Sequence, residues 1–271
     1  MRLLRTTALH TLAVAAALLT VAPLAWMVSA SLMPVGEATS TPFRWWPSAP
    51  TLAHYRTLFA QLDLGRAAVN SALIATLTTI ASLVCNGLAG YALAKLRFRG
   101  RHALFRTLSL LLLVPAPIAL LPLFLVLKGL GLVNSYASAV IPGAATVFGT
   151  LLVRQYLLAL PDDLLDAARL DGASEWRIVR SIVAPVAAPI LASLAIWSFL
   201  ASWNDFLWPL VVLSDDAKYT LPVALAALAG EHGQDTELMM AGSVITTLPV
   251  LLLFLALQRF YLRGVLAGGV K

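Results

Sequence analysis

The chain has 271 residues, of which 60% are hydrophobic and only 12% are charged, and its mean hydropathy is +0.85. Soluble domains carry about 25% charged residues, so this chain has too few polar side chains to cover a water-facing surface. The composition excludes a soluble globular protein and a disordered one, and it indicates an integral membrane protein that contacts lipid. The formal net charge of +6 does not indicate a nucleic-acid partner, because the Lys and Arg residues sit beside apolar runs and form no single stripe.

Six stretches of the chain are almost free of Asp, Glu, Lys and Arg, and each is close to the length of about 20 residues that a spanning helix needs. Backbone groups find no water in lipid, and the stretches show no polar–apolar alternation, so we expect helices. The sequence predicts an all-α fold, a polytopic membrane helical bundle of about six transmembrane helices that forms a single domain over residues 1–271. The predicted spans are 6–36, 67–94, 107–127, 129–153, 181–204 with a continuation to 214, and 238–258.

The positive charges are distributed unequally between the two sides of these spans. An even number of spans puts both termini on one side, and that side holds 14 of the 19 Lys and Arg residues. Because such an excess marks the cytoplasmic side, we expect both termini in the cytoplasm. The N-terminal segment also resembles a cleavable signal peptide, but its apolar run exceeds the usual length of about 7–15 residues. We therefore expect a retained first helix.

The segment between spans four and five has the features of a structured element. Pro161 followed by two aspartates is a strong helix start. Gly172 is typical of a helix C-terminus, where a left-handed backbone costs glycine little. A second helix is expected from Ser174, with its regular hydrogen bonding interrupted near Pro185. The sequence thus predicts a short helix of the cytoplasmic side, a glycine turn and a second helix.

The first of these two helices combines small and apolar side chains. Ala167 and Ala168 permit close approach by another protein, and the neighbouring leucines supply surface for burial. Asp166 adds a charge that an arginine of a partner could pair with. The alternative is an amphipathic helix that lies on its own bundle.

The spacing in this segment resembles the loop motif of binding-protein-dependent ABC importer permeases. That motif is Glu-Ala-Ala, three residues, Gly, nine residues, Ile, one residue and Leu-Pro. In this chain the corresponding residues are Asp166, Ala167, Ala168, Gly172, Ile182, Ala184 and Pro185. The chain departs from the motif where Asp166 replaces Glu and Ala184 replaces Leu, and the spacing is unchanged.

The resemblance is greatest to the sugar-uptake branch, in particular to the six-helix permeases of the maltose type. Further shared segments are Asn70-Ser71 at the start of span two, the Trp-Asn-Asp-Phe-Leu-Trp-Pro-Leu stretch from Trp203, and the C-terminal Ala-Gly-Gly-Val-Lys. The resemblance implies a permease subunit of an ATP-driven sugar importer in the bacterial inner membrane, with no catalytic residue of its own.

The resemblance also implies several partners. A dimer of ATP-binding subunits is expected to hold ATP and Mg²⁺, since this chain binds no cofactor and contains no Gly-Lys pair from which a P-loop could be built. A second permease, related but different, and an extracellular solute-binding protein complete the assembly. The residues expected to couple to the ATPase are Asp166, Ala167, Ala168, Gly172, Ile182 and Pro185, and the tail residues Gly268, Gly269 and Lys271 are expected to touch it.

Asp205 is the only formal charge inside a predicted span. A carboxylate in lipid must face a cavity, a partner or the interface, so Asp205 either caps or unwinds the helix before Pro209, or lines the translocation path with Asn204. Asn70 and Asn86 are further candidates for the path, with helix packing as the alternative explanation. No metal site is expected, because the four histidines are far apart and show no ligand spacing.

An ion-coupled secondary carrier is the alternative function. Such a carrier is expected to have paired broken helices and ionisable groups in repeated halves of the membrane domain, whereas these spans contain one acid. A membrane-embedded enzyme would need clustered catalytic side chains, and the sequence has no such cluster. The sequence does not specify the substrate, since a polyol or phosphodiester cargo would give nearly the same pattern.

Overall fold

The structure, a computed structural model, describes residues 2–61, 63–231 and 235–269, with side chains except those of 2–5, 8, 61, 229–231, 253–254 and 256–269. Within these ranges every regular element is helical and no strand is present. The predicted all-α class is therefore confirmed. The helices are α1 (Arg2–Ala30), α2 (Ala53–Gln61), α3 (Leu64–Lys95), α4 (Arg101–Leu111), α5 (Leu120–Gly129), α6 (Tyr136–Ala144), α7 (Val147–Leu157), α8 (Asp162–Leu170), α9 (Glu175–Ile178), α10 (Ala184–Val186), α11 (Ala188–Trp203), α12 (Leu207–Val212), α13 (Leu221–Glu231) and α14 (Thr236–Gly269).

Several of these helices are suited to cross a membrane, as a polytopic bundle requires. Three continuous stretches are long and apolar enough, namely Leu9–Ala30, Leu64–Lys95 and Tyr136–Leu157. Two more candidates each consist of two helices that meet at an angle, 103° where α4 leads to Ala116–Gly129 and 80° where Glu175–Val186 meets α11. The first part of α14 is a shorter apolar helix. These helices occupy the positions of the predicted spans.

Prolines lie at both bends. Pro115 precedes a 3₁₀ turn, Ala116–Ala119, at the bend in the third span. In the fifth span a π-type segment, Val179–Val183, precedes Pro185. Proline has no N–H to donate and its ring obstructs the preceding turn, so a straight α-helix cannot continue there. The interruption predicted near Pro185 is confirmed, whereas the bend after α4 was not predicted.

Backbone contacts divide the chain into two units. The first comprises Met1–Gly65 and Leu221–Leu252, and the second comprises Arg66–Thr220 and Leu253–Lys271. The assignment of the whole chain to one domain stays a prediction. All the candidate coupling and path residues with described side chains belong to the second unit.

In the first unit, two carboxylates hold the loop between α1 and α2. Glu37 accepts hydrogen bonds from the backbone N–H of Ser48 and from Arg44. The buried Glu237 accepts one from the N–H of Ala38 at 2.6 Å. Because these carboxylates satisfy backbone donors of the loop, the proline-rich segment after α1 has a defined course.

The second unit contains an apolar cluster that several helices share. Leu157 of α7, Leu165 of α8 and Ile178 of α9 are buried in it, and Tyr91 and Leu194 contribute from α3 and α11. Burial of a leucine stabilises a fold by about 1.5–3 kcal/mol. Leu165 therefore anchors the short helix α8 to the spans on either side of it.

Candidate functional site

The loop helix begins and ends at the predicted residues. Pro161 has an extended backbone just before α8, and two aspartates occupy the first turn. The φ of Gly172 is +79°, and the N–H of Ala173 donates to the carbonyl of Ala168 at 3.0 Å. This is the left-handed helix terminus that the glycine predicted. The next helix, α9, begins after Ser174, whose hydroxyl accepts from the N–H of Arg177.

The leucines of α8 face in different directions. Leu165 is 1% exposed and packs into the apolar cluster, whereas Leu170 is 89% exposed and Leu164 is also exposed. Ala168 packs partly against the same cluster, and Ala167 is exposed. The helix thus lies on its own bundle through one face and exposes apolar side chains on another. The predicted contact with the bundle is present, and contact with a partner stays a prediction.

Asp166 is paired within the chain. Its Oδ1 lies 2.7 Å from Nη1 of Arg169, whose Nε donates to Glu175 Oε1 at 2.7 Å. The other oxygen of Glu175 accepts from the hydroxyl of Tyr91 at 2.5 Å. Hydrogen bonds with Glu175 and Asp166 raise the pKa of the Arg169 guanidinium. We call these four residues the Arg169 network, and it connects α8, α9 and α3.

The start of α8 is held by the same helix, α3. Lys95 donates from Nζ to the carbonyl of Leu160 at 2.5 Å and to Asp162 Oδ1 at 2.6 Å. The Lys95 side chain is only 4% exposed, and burial of such a polar group without hydrogen-bond partners would be costly. The hydrogen bond from Lys95 lowers the pKa of Asp162. Tyr91 and Lys95, one turn apart, hold α9 and the start of α8, and we call this pair the α3 clamp.

The remaining motif residues lie beyond the glycine turn. Ile182 belongs to the π-type segment and packs partly against the apolar cluster that holds Leu165. Pro185 is exposed in α10. The structure therefore brings Ala168 and Ile182 to one apolar cluster, and Pro185 is not among the residues that pack against it. The structure does not test the predicted tail contact: only the helical backbone of Gly268 and Gly269 is described, and Lys271 lies outside the described residues.

Two of the candidate path residues are buried and hydrogen-bonded to neighbouring helices. Asn86 accepts from the N–H of Thr146 at 2.9 Å and from the Thr150 hydroxyl at 3.0 Å, and its amide donates to Ser82. Asn70 donates to the carbonyls of Ala217 and Tyr219, both at 3.0 Å, and accepts from Tyr136. These contacts favour the packing alternative for both asparagines.

The other two candidates lie where the helix stops before Pro209. Asn204 donates to the carbonyl of Leu200 at 2.8 Å at the end of α11. Asp205 accepts from the backbone N–H of Trp208 at 3.3 Å, in the turn that precedes α12. The unwinding that the sequence offered as an explanation for Asp205 is therefore present.

Asp205 also lines a cavity of about 420 Å³ in the second unit. None of the other three candidate path residues lines it. The cavity walls come from α3, the bend in the third span, α6, and the segment from α11 to α12. The side chains that line it include Thr78, Pro117, Thr146, Trp197, Ser198, Ser202, Asp205 and Trp208.

Comparison with known proteins shows the family to which the chain belongs. Residues 86–265 match the family of binding-protein-dependent transport system inner membrane components. The chain belongs to this family. It is therefore a permease subunit of the inner membrane that crosses it several times and works with a binding protein and an ATPase. The family supports the predicted transport function and not the ion-coupled carrier.

Individual relatives agree with this assignment. The permease is 39% identical to the arabinooligosaccharides transport system permease protein AraQ of Halalkalibacterium halodurans, over 83% of this chain and 81% of that protein. It is 34% identical to the lactose transport system permease protein LacG of Rhizobium radiobacter, over 79% of this chain and 78% of that protein. The crystal structure of a bacterial ABC transporter involved in the import of the acidic polysaccharide alginate has the same fold, with a TM-score of 0.82, 23% identity and coverage of 96% and 97% of the two chains.

Sequence reasoning missed the residues that hold the loop of this permease. Tyr91 and Lys95 lie at least 65 positions before the residues they contact, and nothing in their local pattern marks them. In the sequence, Lys95 counts only as one of the 14 positive residues that indicate the orientation. Apart from the separation of Tyr91 and Lys95 by one turn near the end of predicted span two, the sequence gives no sign that they contact this loop.

Proposed function

We propose that this permease imports carbohydrates. The proposal is supported by relatives whose names specify arabinooligosaccharides and lactose as the cargo of their systems. The chain itself is proposed to catalyse no reaction and to bind no cofactor. ATP and Mg²⁺ are held instead by a dimer of separate ATP-binding subunits. A second permease, related but different, pairs with this one, so that each ATPase of the dimer receives one loop helix.

We also propose that α8 is the element that docks on the ATPase. The observation that carries this proposal is the arrangement of its leucines. Leu165 fixes the helix to the bundle, while Leu170, at 89% exposure, is not covered by the part of the chain that the structure describes. An exposed leucine at the end of a rigidly held helix is suited to burial in a partner. Asp166, Ala167, Ala168, Gly172, Ile182 and Pro185 are the proposed coupling residues, by their match to the family motif.

The orientation follows from the same proposal. The helix α8 must face the cytoplasm to reach an ATPase, and the 14 positive residues on the side of α8 and the termini support this placement. Both termini of the chain are then cytoplasmic. The C-terminal residues Gly268, Gly269 and Lys271 end on that side as well, and we propose that they touch the ATPase pair.

Uptake measurements with two inhibitors test the proposed function. Cells that depend on this chain should accumulate radiolabelled lactose or arabinotriose. Uptake should stop when arsenate depletes ATP, and it should persist when a protonophore collapses the proton gradient in cells that keep their ATP. The opposite pattern, loss with the protonophore alone, would show an ion-coupled carrier and contradict the proposal.

A further inference from the structure

Two interruptions of helical backbone meet at the 420 Å³ cavity. Ala116 and Pro117 line it from the bend in the third span, and Asp205 lines it from the turn between α11 and α12. Backbone that leaves the helix within a membrane is tolerated only where it is buried in protein or lines a water-filled cavity. Broken helices also form the substrate sites of several transporter folds. The location of the two interruptions therefore favours a cavity that admits a polar solute.

Two indole rings in the cavity wall are held in fixed orientations. Trp208 donates from Nε1 to the carbonyl of Ser138 at 2.8 Å. The ring of Trp197 packs against Phe148, with 4.8 Å between the ring centroids. A fixed aromatic face offers a large contact area with little loss of side-chain entropy when a ligand binds. These rings thus provide a preorganised apolar surface.

Polar groups lie among these apolar walls. The side chains of Ser198, Ser202 and Thr146 line the cavity together with Asp205. Hydroxyl groups donate and accept hydrogen bonds, and a carboxylate accepts them. A few polar groups on a mainly apolar and aromatic lining are typical of a small-molecule site.

The chemistry of this lining matches a sugar ring. A sugar ring has an apolar C–H face, which an indole can cover, and a rim of hydroxyls, which serine and aspartate can pair with. A lipid acyl chain would cover the indoles but would leave the Asp205 carboxylate and the serine hydroxyls facing hydrocarbon, which is costly. A carbohydrate satisfies both parts of the wall.

We infer that this cavity is a carbohydrate-binding site within the permease, in which Trp197 and Trp208 stack on sugar rings and Ser198, Ser202 and Asp205 bind their hydroxyls. The inference rests on the proposed carbohydrate import and specifies which residues of this chain hold the cargo. The aromatic pair selects for rings with an open apolar face, and the hydroxyl groups select for the arrangement of the ring substituents.

Uptake by full-length variants in cells that lack the native chain tests the inference. The unaltered chain is first tested with radiolabelled lactose, arabinotriose, maltose, melibiose and cellobiose. The sugars that it imports are then used as probes for the variants. Trp197→Leu removes the aromatic face, Trp197→Phe keeps one, and Ser202→Ala removes one hydroxyl. Ser193→Ala is the matched control, because Ser193 lies on the same helix, bonds to the carbonyl of Pro189 and does not line the cavity. Membrane abundance is measured for every variant by immunoblot.

The expected result is a loss of uptake without a loss of protein. Trp197→Leu should lower the uptake rate per permease about tenfold, the size of an aromatic contact, and Trp197→Phe should restore most of it. Ser202→Ala should lower the rate about fivefold. If Trp197→Leu fails to fold, the rate of Ser202→Ala alone tests the proposed site. Normal rates for Ser202→Ala and Trp197→Leu would overturn this inference and leave carbohydrate import intact. Absence of uptake of every probe by the unaltered chain would instead overturn the proposed import and the inference with it.

Discussion

At the residue scale, Gly172 sets the angle between α8 and α9. Its φ is +79°, and a Cβ at this position would meet no atom within 4 Å. Backbone conformation is therefore the only obstacle to a side chain here. A β-branched residue should cost about 1–2 kcal/mol, whereas asparagine tolerates the left-handed conformation.

We expect Gly172→Val to insert normally and to lose most transport, because strain at this residue shifts α8 relative to α9. Gly172→Asn should retain more transport than Gly172→Val. Uptake normalised to membrane abundance measures the difference. Equal uptake by the two variants would show that the left-handed backbone is unimportant for coupling.

Asn86 provides the contrasting case of a buried polar residue. Its side chain accepts hydrogen bonds from the N–H of Thr146 at the start of α7 and from the hydroxyl of Thr150.

Asn86→Leu leaves both groups without this partner, so we expect a loss of about 1–3 kcal/mol of stability. Thermal unfolding of the purified permease in detergent measures it. The control is Asn204→Ala, whose exposed amide has a single backbone partner in the described part of the chain. Loss of uptake by Asn86→Leu at unchanged stability would restore the path role that the sequence suggested.

The structural roles of these residues could be predicted from the sequence to different extents. A glycine just after the last residue of a helix commonly adopts the left-handed conformation. The left-handed turn at Gly172 was therefore predictable from the local sequence. The role of Asn86 depends on a helix about 60 positions further along the chain, which no local pattern shows. The same reason applies to Asp166, whose charge is already paired with Arg169.

At the scale of elements, the α3 clamp attaches α8 and α9 to the helix α3, which is a candidate membrane span. Lys95 holds the carbonyl of Leu160 and the carboxylate of Asp162, and Tyr91 holds Glu175. We therefore expect that a partner that displaces α8 also displaces α3. These contacts hold α8 in place, as the proposed docking role requires.

We expect Lys95→Met to lower stability by about 1.5 kcal/mol, near the lower end for hydrogen bonds to charged groups, because the Asp162 side chain is 66% exposed. Transport per ATP hydrolysed should fall as well. Adding Asp162→Asn to Lys95→Met should change little more, since the two residues share one interaction. Arg99→Gln, in the same basic segment, is the control. Additive effects of the two substitutions would argue against the clamp.

The effect of pH on this contact has a definite sign. The pKa of Asp162 is lowered by Lys95, so the contact contributes stability above the ordinary Asp pKa of about 3.9. That contribution is lost as the pH falls through the lowered pKa. At neutral pH the Asp162 carboxylate is therefore expected to contribute this stability in full.

The helical spans were predictable as elements, but their bends were less so. Long runs without charge are visible in the sequence because lipid excludes charged side chains. The break near Pro185 was predicted from the proline itself. The 103° bend after α4 was not, because a span defined only by the absence of charge carries no information on its direction.

At the scale of the whole molecule, the orientation in the membrane is the first point to test. With Cys85 replaced by serine, a cysteine at Asp171 should react with a membrane-impermeant maleimide only after the cells are opened. A cysteine at Trp46, which is 77% exposed, should react in intact cells. Reaction of the cysteine at position 171 from outside would invert the proposed orientation.

The central claim of this account is that α8 joins the permease to its ATPase, and photo-crosslinking from Leu170 tests it most directly. Leu170 is 89% exposed, so p-benzoylphenylalanine can replace it with little change to the bundle. The same probe at Arg101, the first residue of α4, is the comparison. Illumination of intact cells should join position 170 to an ATP-binding subunit, identified by mass spectrometry, in higher yield than position 101. Crosslinks from position 170 to this chain alone, or equal yields from the two positions, would contradict the claim.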